Sequence, residues 1–190
     1  KNSSGTAISG YTGGAFSYTA TDTGSGVSYL QYKMPGSSSW TTYSSGTTIS
    51  ASATNGLYQF RAVDNAGNTS AVSSIYLDTA IPTGKITDSN GTTVTTTTNK
   101  AFKYTASDGL SGIAYMQYKK PNSTVWETYA AGTLIQTTDT NGIYRFRAFD
   151  NAGNESETVM ICLDTVKPTG TLYGGTSIIA SGGKNQCELR

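Results

Sequence analysis

The sequence contains no histidine, which removes the usual general base of serine and cysteine hydrolases and the commonest transition-metal ligand. Charge is scarce too. Thirteen Lys and Arg stand against twelve Asp and Glu in 190 residues, a formal net charge of +1, so neither a basic nucleic-acid footprint nor an acidic tail is present. The two cysteines, Cys162 and Cys187, are too few for a disulfide framework and too far apart for a zinc motif. No run of about 18 apolar residues exists to span a bilayer, and residues 1–14 lack the apolar stretch of a signal peptide. The sequence reads as an internal segment of a longer polypeptide, with no nucleic-acid partner and no membrane insertion in this segment. Nothing in it shows the i, i+3, i+4 apolar spacing of an amphipathic helix.

What is abundant is Ser, Thr, Gly, Asn and Tyr, arranged in a repeat. A shift of 86 residues superposes Ala15-Phe16 on Ala101-Phe102, Trp40 on Trp126, and Asp64-Asn65-Ala66-Gly67-Asn68 on residues 150–154, without a gap. Across residues 15–82, 38 of 68 positions are identical to their partners, far more than shared composition gives. The same shift lays Pro82-Thr83-Gly84 on Pro168-Thr169-Gly170, so a third copy opens near Val166. The expected division is module 1 over residues 1–79, without the counterpart of residues 82–86, module 2 over 80–165, and the opening strands of a third over 166–190.

Inside a module the apolar residues alternate with period two, as in strands with one buried face. Phe16, Tyr18 and Ala20 form one inward series, Leu30 and Tyr32 a second, and Tyr58, Phe60 and Ala62 a third. Gly-rich or Asn-Gly breaks separate them about every ten residues, the spacing of a sandwich. In the Asp64 to Asn68 motif the Gly stands where a three-residue hairpin loop needs a left-handed residue. The fold class is all-β, tandem β-sandwiches of about seven strands each. The Leu-Asp-Thr-x-x-Pro segments that begin at Leu77 and Leu163 read as short, stiff connectors, because Pro fixes φ and donates no ladder hydrogen bond.

The segments Asn55-Gly56-Leu57-Tyr58-Gln59-Phe60 and Asp139-Thr140-Asn141-Gly142-Ile143-Tyr144-Arg145-Phe146 resemble the immunoglobulin Asp-x-Gly-x-Tyr-x-Cys pattern, with Phe in place of Cys. The resemblance implies that Tyr58 and Tyr144 make a corner whose hydroxyl returns to the backbone. Three motifs in fixed order, Asp-x-x-Ser-Gly-Val/Ile, Tyr-x-Phe-Arg-Ala-x-Asp-Asn-Ala-Gly-Asn-x-Ser and Leu-Asp-Thr-x-x-Pro-Thr-Gly, resemble the bacterial Ig-like repeats of large secreted or wall-attached proteins of Gram-positive bacteria. The resemblance implies immunoglobulin-like modules, an extracellular location, a stalk or adhesin role, and partners that are neighbouring modules of the same polypeptide.

Candidate sites fall into two sets. Asp22 and Asp108 follow one strand, Asp64 and Asp150 another, at the end of the sandwich that receives the preceding connector, so Asp78 is expected to join Asp108 and Asp150. Three carboxylates with backbone carbonyls suit a hard cation such as calcium; alternatively each Asp caps its own turn. The second set, Tyr29, Trp40 and Tyr43 with Tyr115, Trp126 and Tyr129, offers an aromatic surface for a glycan or a host surface protein, against the alternative of ordinary cross-strand packing. Lys33 and Lys119 are expected to be solvated rather than crosslinked, and Arg61 and Arg147 to face outward. A disulfide between Cys162 and Cys187 requires the third copy to fold back, and the sequence leaves it open. The strand-like tail, 166–190, could add to the open edge of a second molecule, giving self-association. The residues supply no nucleophile, base or metal constellation beyond turn positions, so a non-enzymatic spacer is expected, with a glycan- or host-protein-binding module as the alternative.

Overall fold

Alternation builds the strands as the sequence predicts. In β4 (Gly56–Asp64) Tyr58, Phe60 and Ala62 are buried, while Gln59 and Arg61 between them are not. With β1 (Gly10–Thr12), β2 (Val27–Lys33), β3 (Thr41–Tyr43) and β5 (Ser73–Leu77) it forms a sheet in the order β1-β5-β4-β2-β3, antiparallel except for the β1/β5 pair. The facing layer is thin. Phe16 bridges Asn2 on one side and Ile49 on the other, and its ring meets Tyr58 and Phe60 edge-on at 5.5 and 6.1 Å.

The computed structural model describes residues 1–171 and Cys187. Among them the second repeat has seven strands: β6 (Thr83–Asp88), β7 (Thr97–Thr98), β8 (Phe102–Ser107), β9 (Ile113–Lys119), β10 (Glu127–Tyr129), β11 (Gly142–Asp150) and β12 (Val159–Leu163). One sheet runs β10-β9-β11-β12-β7 and β6 pairs with β8. This is an all-β, immunoglobulin-like sandwich. Repeat 2 thus carries the seven strands expected, and residues 1–82 carry five, β1 to β5. Compactness divides the chain into a first unit of Lys1–Pro82, Ser107–Ala114 and Phe149–Glu155, and a second of Thr83–Ala106, Tyr115–Ala148 and Ser156–Arg190.

Each core is a cluster of rings. Phe60 touches Phe16, Tyr18, Tyr32 and Tyr43, and Phe146 touches Phe102, Tyr104, Tyr118, Tyr129 and Tyr144. Tyrosine serves here because its hydroxyl finds backbone at the rim. Tyr58 donates to Thr54 O at 3.0 Å and Tyr144 to Thr140 O at 2.9 Å, the corner that the resemblance implies. Turns follow the same logic: Gly67 and Gly153 adopt φ of 89° and 92°, and the loop closes through Asp64 N to Asn68 O and Asp150 N to Asn154 O. Where repeat 1 has Gly36 at φ 75°, repeat 2 has Asn122 at 63°, a residue type that tolerates the left-handed region.

Cys162 and Cys187 are joined in a disulfide, with Cα atoms 5.8 Å apart. Of the expected third-module strands, residues 166–171 are described and lie outside any strand. The remainder, 172–186 and 188–190, lies outside the described residues.

Since Phe146 contacts five other rings and is fully buried, F146A is expected to cost about 3–5 kcal/mol. Y144F removes only one hydrogen bond and is expected to cost about 1 kcal/mol. Urea unfolding followed by tyrosine fluorescence checks both; equal effects would contradict a ring-centred core.

Candidate functional site

Two loops of repeat 2 are organised around carboxylates. In Asp108-Gly109-Leu110-Ser111-Gly112 the chain folds back so that Asp108 Oδ1 accepts from Leu110 N (3.0 Å), Ser111 N (2.8 Å) and Gly112 N (2.9 Å), with the Ser111 hydroxyl at 3.4 Å. Asp150 works alike in its hairpin, accepting from Ala152 N, Asn154 N and the Asn154 amide at 2.7–2.9 Å. Asn151 then ties one loop to the other, donating from Nδ2 to Ser111 O (2.7 Å) and Gly112 O (3.3 Å). That clamp is why the Asp-x-x-Ser-Gly and Asp-Asn-Ala-Gly-Asn motifs occur together.

Asp78, from the Leu-Asp-Thr segment, completes the cluster. It is fully buried, accepts from Ala80 N with Oδ1, and with Oδ2 shares the Ser111 N–H with Asp108, at 3.0 Å. Its carbonyl accepts from Asn154 Nδ2 at 2.8 Å. One oxygen from each of Asp78, Asp108 and Asp150 lies within 4.8 Å of the others, and all three residues belong to the first compact unit. The structure thus brings together the three carboxylates that the sequence grouped. Three such oxygens are ligands for a hard cation, and each carboxylate also has loop donors of its own.

Asp22 and Asp64 do not join such a group among the described residues. Asp22 accepts from Gly26 N at 2.8 Å, and Asp64 from the backbone and amide of Asn68; both are turn acceptors within repeat 1. The Asn68 amide holds the Asp64 carboxyl below its ordinary range, with help from backbone N–H groups of Asn68 and Ala66. For Asp108 burial is the largest influence and pushes the carboxyl up, but the donors from Gly112, Leu110 and Ser111 together outweigh it and hold it down.

No protein-family profile and no curated protein matches this sequence. Among solved structures the chain is similar to the fibronectin(III)-like modules of CbhA from Clostridium thermocellum, at 18% identity over 91% of this chain and 99% of that one, with a TM-score of 0.39.

The aromatic set separates into three roles. Tyr43 and Tyr129, which the sequence offered either for an aromatic surface or for packing, are core residues, 5% and 3% exposed. Each hydroxyl accepts a backbone N–H at 3.0 Å, from Tyr18 and Tyr104, and donates to Thr47 O and Thr133 O; burial pushes both phenols up. Trp40 lies under the Arg61 guanidinium (4.2 Å) and Lys33 Nζ (4.9 Å), and Trp126 under Arg147 (4.2 Å) and Lys119 Nζ (4.8 Å), so cations already occupy the ring faces. Arg61 Nε also donates to Gln31 Oε1, and Arg147 Nε to Gln117 Oε1, both at 2.9 Å. Tyr29 and Tyr115 are open to solvent, at 46% and 48%.

Sequence reasoning missed Asn154 and Gly13. Gly13 N donates to Ala152 O at 3.0 Å, and a Cβ there would stand 2.6 Å from Asn154 Oδ1. A signal was available: the repeat-2 equivalent of Gly13 is Asn99, a departure from the repeat at a point of close backbone approach.

The sign for pH follows from the depressed Asp108 pKa. Its contribution to stability is fully present above the unfolded value of about 3.9 and is lost as pH falls through the lower folded value. Thermal midpoints measured from pH 5 to pH 2 should fall less steeply in D108N than in the wild type; parallel curves would contradict the assignment.

Proposed function

We propose that this chain is a non-catalytic structural segment, a series of immunoglobulin-like modules acting as a spacer or adhesin stalk in a bacterial protein that is secreted or attached to the cell wall. The observation that carries the reading is the use made of Asp78. A buried carboxylate in the Leu-Asp-Thr segment that ends one repeat accepts from Ser111 of the next, and its carbonyl accepts from Asn154. Asp164 stands at the same place after repeat 2. A fully buried carboxylate thus serves the joining of consecutive repeat sequences, a burial that its hydrogen bonds offset. Neighbouring modules of the same polypeptide are the partners that this arrangement serves. The motif resemblance supports the extracellular, Gram-positive setting.

D78A removes the acceptor of Ala80 N and one of the two acceptors of Ser111 N, leaving the latter on Asp108 alone, and is expected to cost about 1–3 kcal/mol, read as a lower thermal midpoint with faster amide exchange at Ala80 and Ser111. An unchanged midpoint and unchanged exchange would remove the observation on which the reading rests. Turnover of any substrate, or saturable glycan or host-protein binding lost in W126A or Y115A with the fold intact, would replace the spacer with an enzyme or a binding module. Repeating the melt in millimolar calcium and in chelator adds a further arm: a midpoint raised by calcium in the wild type and not in D108N adds a resident cation to the spacer.

A further inference from the structure

Between the β9–β10 loop and the start of β11, repeat 2 carries a groove of about 490 Å³ whose lining includes Pro121, Asn122, Thr124, Asn141, Ile143 and Arg145. Local geometry sets its walls. Ser123 N donates to Lys120 O at 3.1 Å and turns the loop, and Gly142, at φ 127°, lets Pro121 lie so close that a Cβ on the glycine would stand 2.9 Å from the proline Cβ. No Asp or Glu lines the groove.

Its polar groups are donors without partners. Arg61 and Arg147 each cover a tryptophan and donate to a glutamine, whereas the part-buried Arg145 makes no hydrogen bond, ion pair or ring contact among the described residues. Asn141 gives its Oδ1 to Thr165 N and Oγ1, both at 3.1 Å, which leaves the two N–H bonds of Nδ2 unused. The Asn122 amide and the Thr124 hydroxyl are exposed and equally unbonded among the described residues.

Two of these residues depart from the repeat. Gln59 and Gly36 stand in repeat 1 where Arg145 and Asn122 stand in repeat 2. Asn122, at φ 63°, is the one non-glycine residue with positive φ among the described residues, so repeat 2 accepts a conformation that glycine adopts freely and gains an amide at the groove. Neither side chain bonds anything in the fold, so the fold gives no reason for the exchange. Backbone strain of this kind collects at ligand sites.

We infer that this groove binds an acidic saccharide, a sugar unit that carries a carboxylate. A guanidinium with no acid beside it receives the carboxylate on two parallel N–H···O bonds. The amides of Asn122 and Asn141 and the Thr124 hydroxyl donate to ring hydroxyls, and Pro121 and Ile143 supply a small apolar surface for the C–H face of the sugar. The volume falls within the range of small-molecule sites, about 300–1,000 Å³. A peptide carboxylate fits less well, because a sheet takes up a peptide along an unpaired strand edge, and β11 is paired on both sides, by β9 and β12. The site adds a ligand to the spacer and does not depend on the spacer reading.

Nitrogen–proton NMR titration of the intact chain tests this, with sodium glucuronate and sodium N-acetylneuraminate as the acidic sugars and glucose and sodium acetate as controls. At least one acidic sugar is expected to shift the Arg145 Nε–H and the Asn122 and Asn141 side-chain amide signals saturably, and which of the two binds names the kind of acid. Glucose and acetate should each bind about tenfold more weakly or worse, since neither supplies both carboxylate and ring. R145Q and N122G put the repeat-1 residues into repeat 2, so the melting midpoint should not fall, while R145Q weakens binding about tenfold and N122G weakens it to a smaller extent. No saturable shift with either acidic sugar would overturn the inference. So would acetate binding as tightly as the acidic sugar, which would leave a simple anion site, or an affinity unchanged in R145Q.

Discussion

Everything in each repeat hangs on one aromatic ring with rings around it. Phe60 and Phe146 stand at the centre of β4 and β11, and the side chains that reach them come from strands on both layers. A module of this size buries too little surface to rely on many small contacts, so a few large apolar faces carry the burden. Choosing tyrosine for most of the surrounding rings solves a second problem. The hydroxyls of Tyr43, Tyr58, Tyr129 and Tyr144 reach the rim and bond backbone groups that the sheets leave without a strand partner.

The loops apply the same economy with carboxylates. An Asp at the base of each loop gathers several backbone N–H groups onto one or two oxygens, so a tight irregular turn keeps its polar groups satisfied. Once two such loops are tied by Asn151, the Ser111 N–H is left pointing at Asp78, and one donor serves two carboxylates. The loop end of repeat 2 therefore takes part of its hydrogen bonding from the segment that precedes it in sequence.

How far this could be read from sequence depended on whether a residue's role was local or required its partners to be known. The inward series of β2 and β4, the left-handed glycine of the hairpin and the tyrosine corner follow from period, spacing and motif, and the structure places them so. The grouping of Asp78, Asp108 and Asp150 was also accessible, since it needs only the end of the sandwich at which each loop falls. Tyr43 was ambiguous because Thr41-Thr42-Tyr43 is too short to show a period, so nothing local says which way the ring turns. Asn154 and Gly13 were hidden because their partners lie 76 residues away or across a backbone contact that no side chain announces.

The cation-covered tryptophans have a practical side. The chain has only two, Trp40 and Trp126, one per repeat at matching positions, and each lies 4.2 Å beneath a guanidinium carbon. Each repeat therefore carries its own optical label, and the two labels sense nearly the same surroundings. Indole emission from the intact chain sums two almost identical signals, so a single transition would hide whether the repeats open together. Replacing either indole with phenylalanine leaves the other as a site-specific witness, by which the events in one module can be followed while its neighbour stays dark.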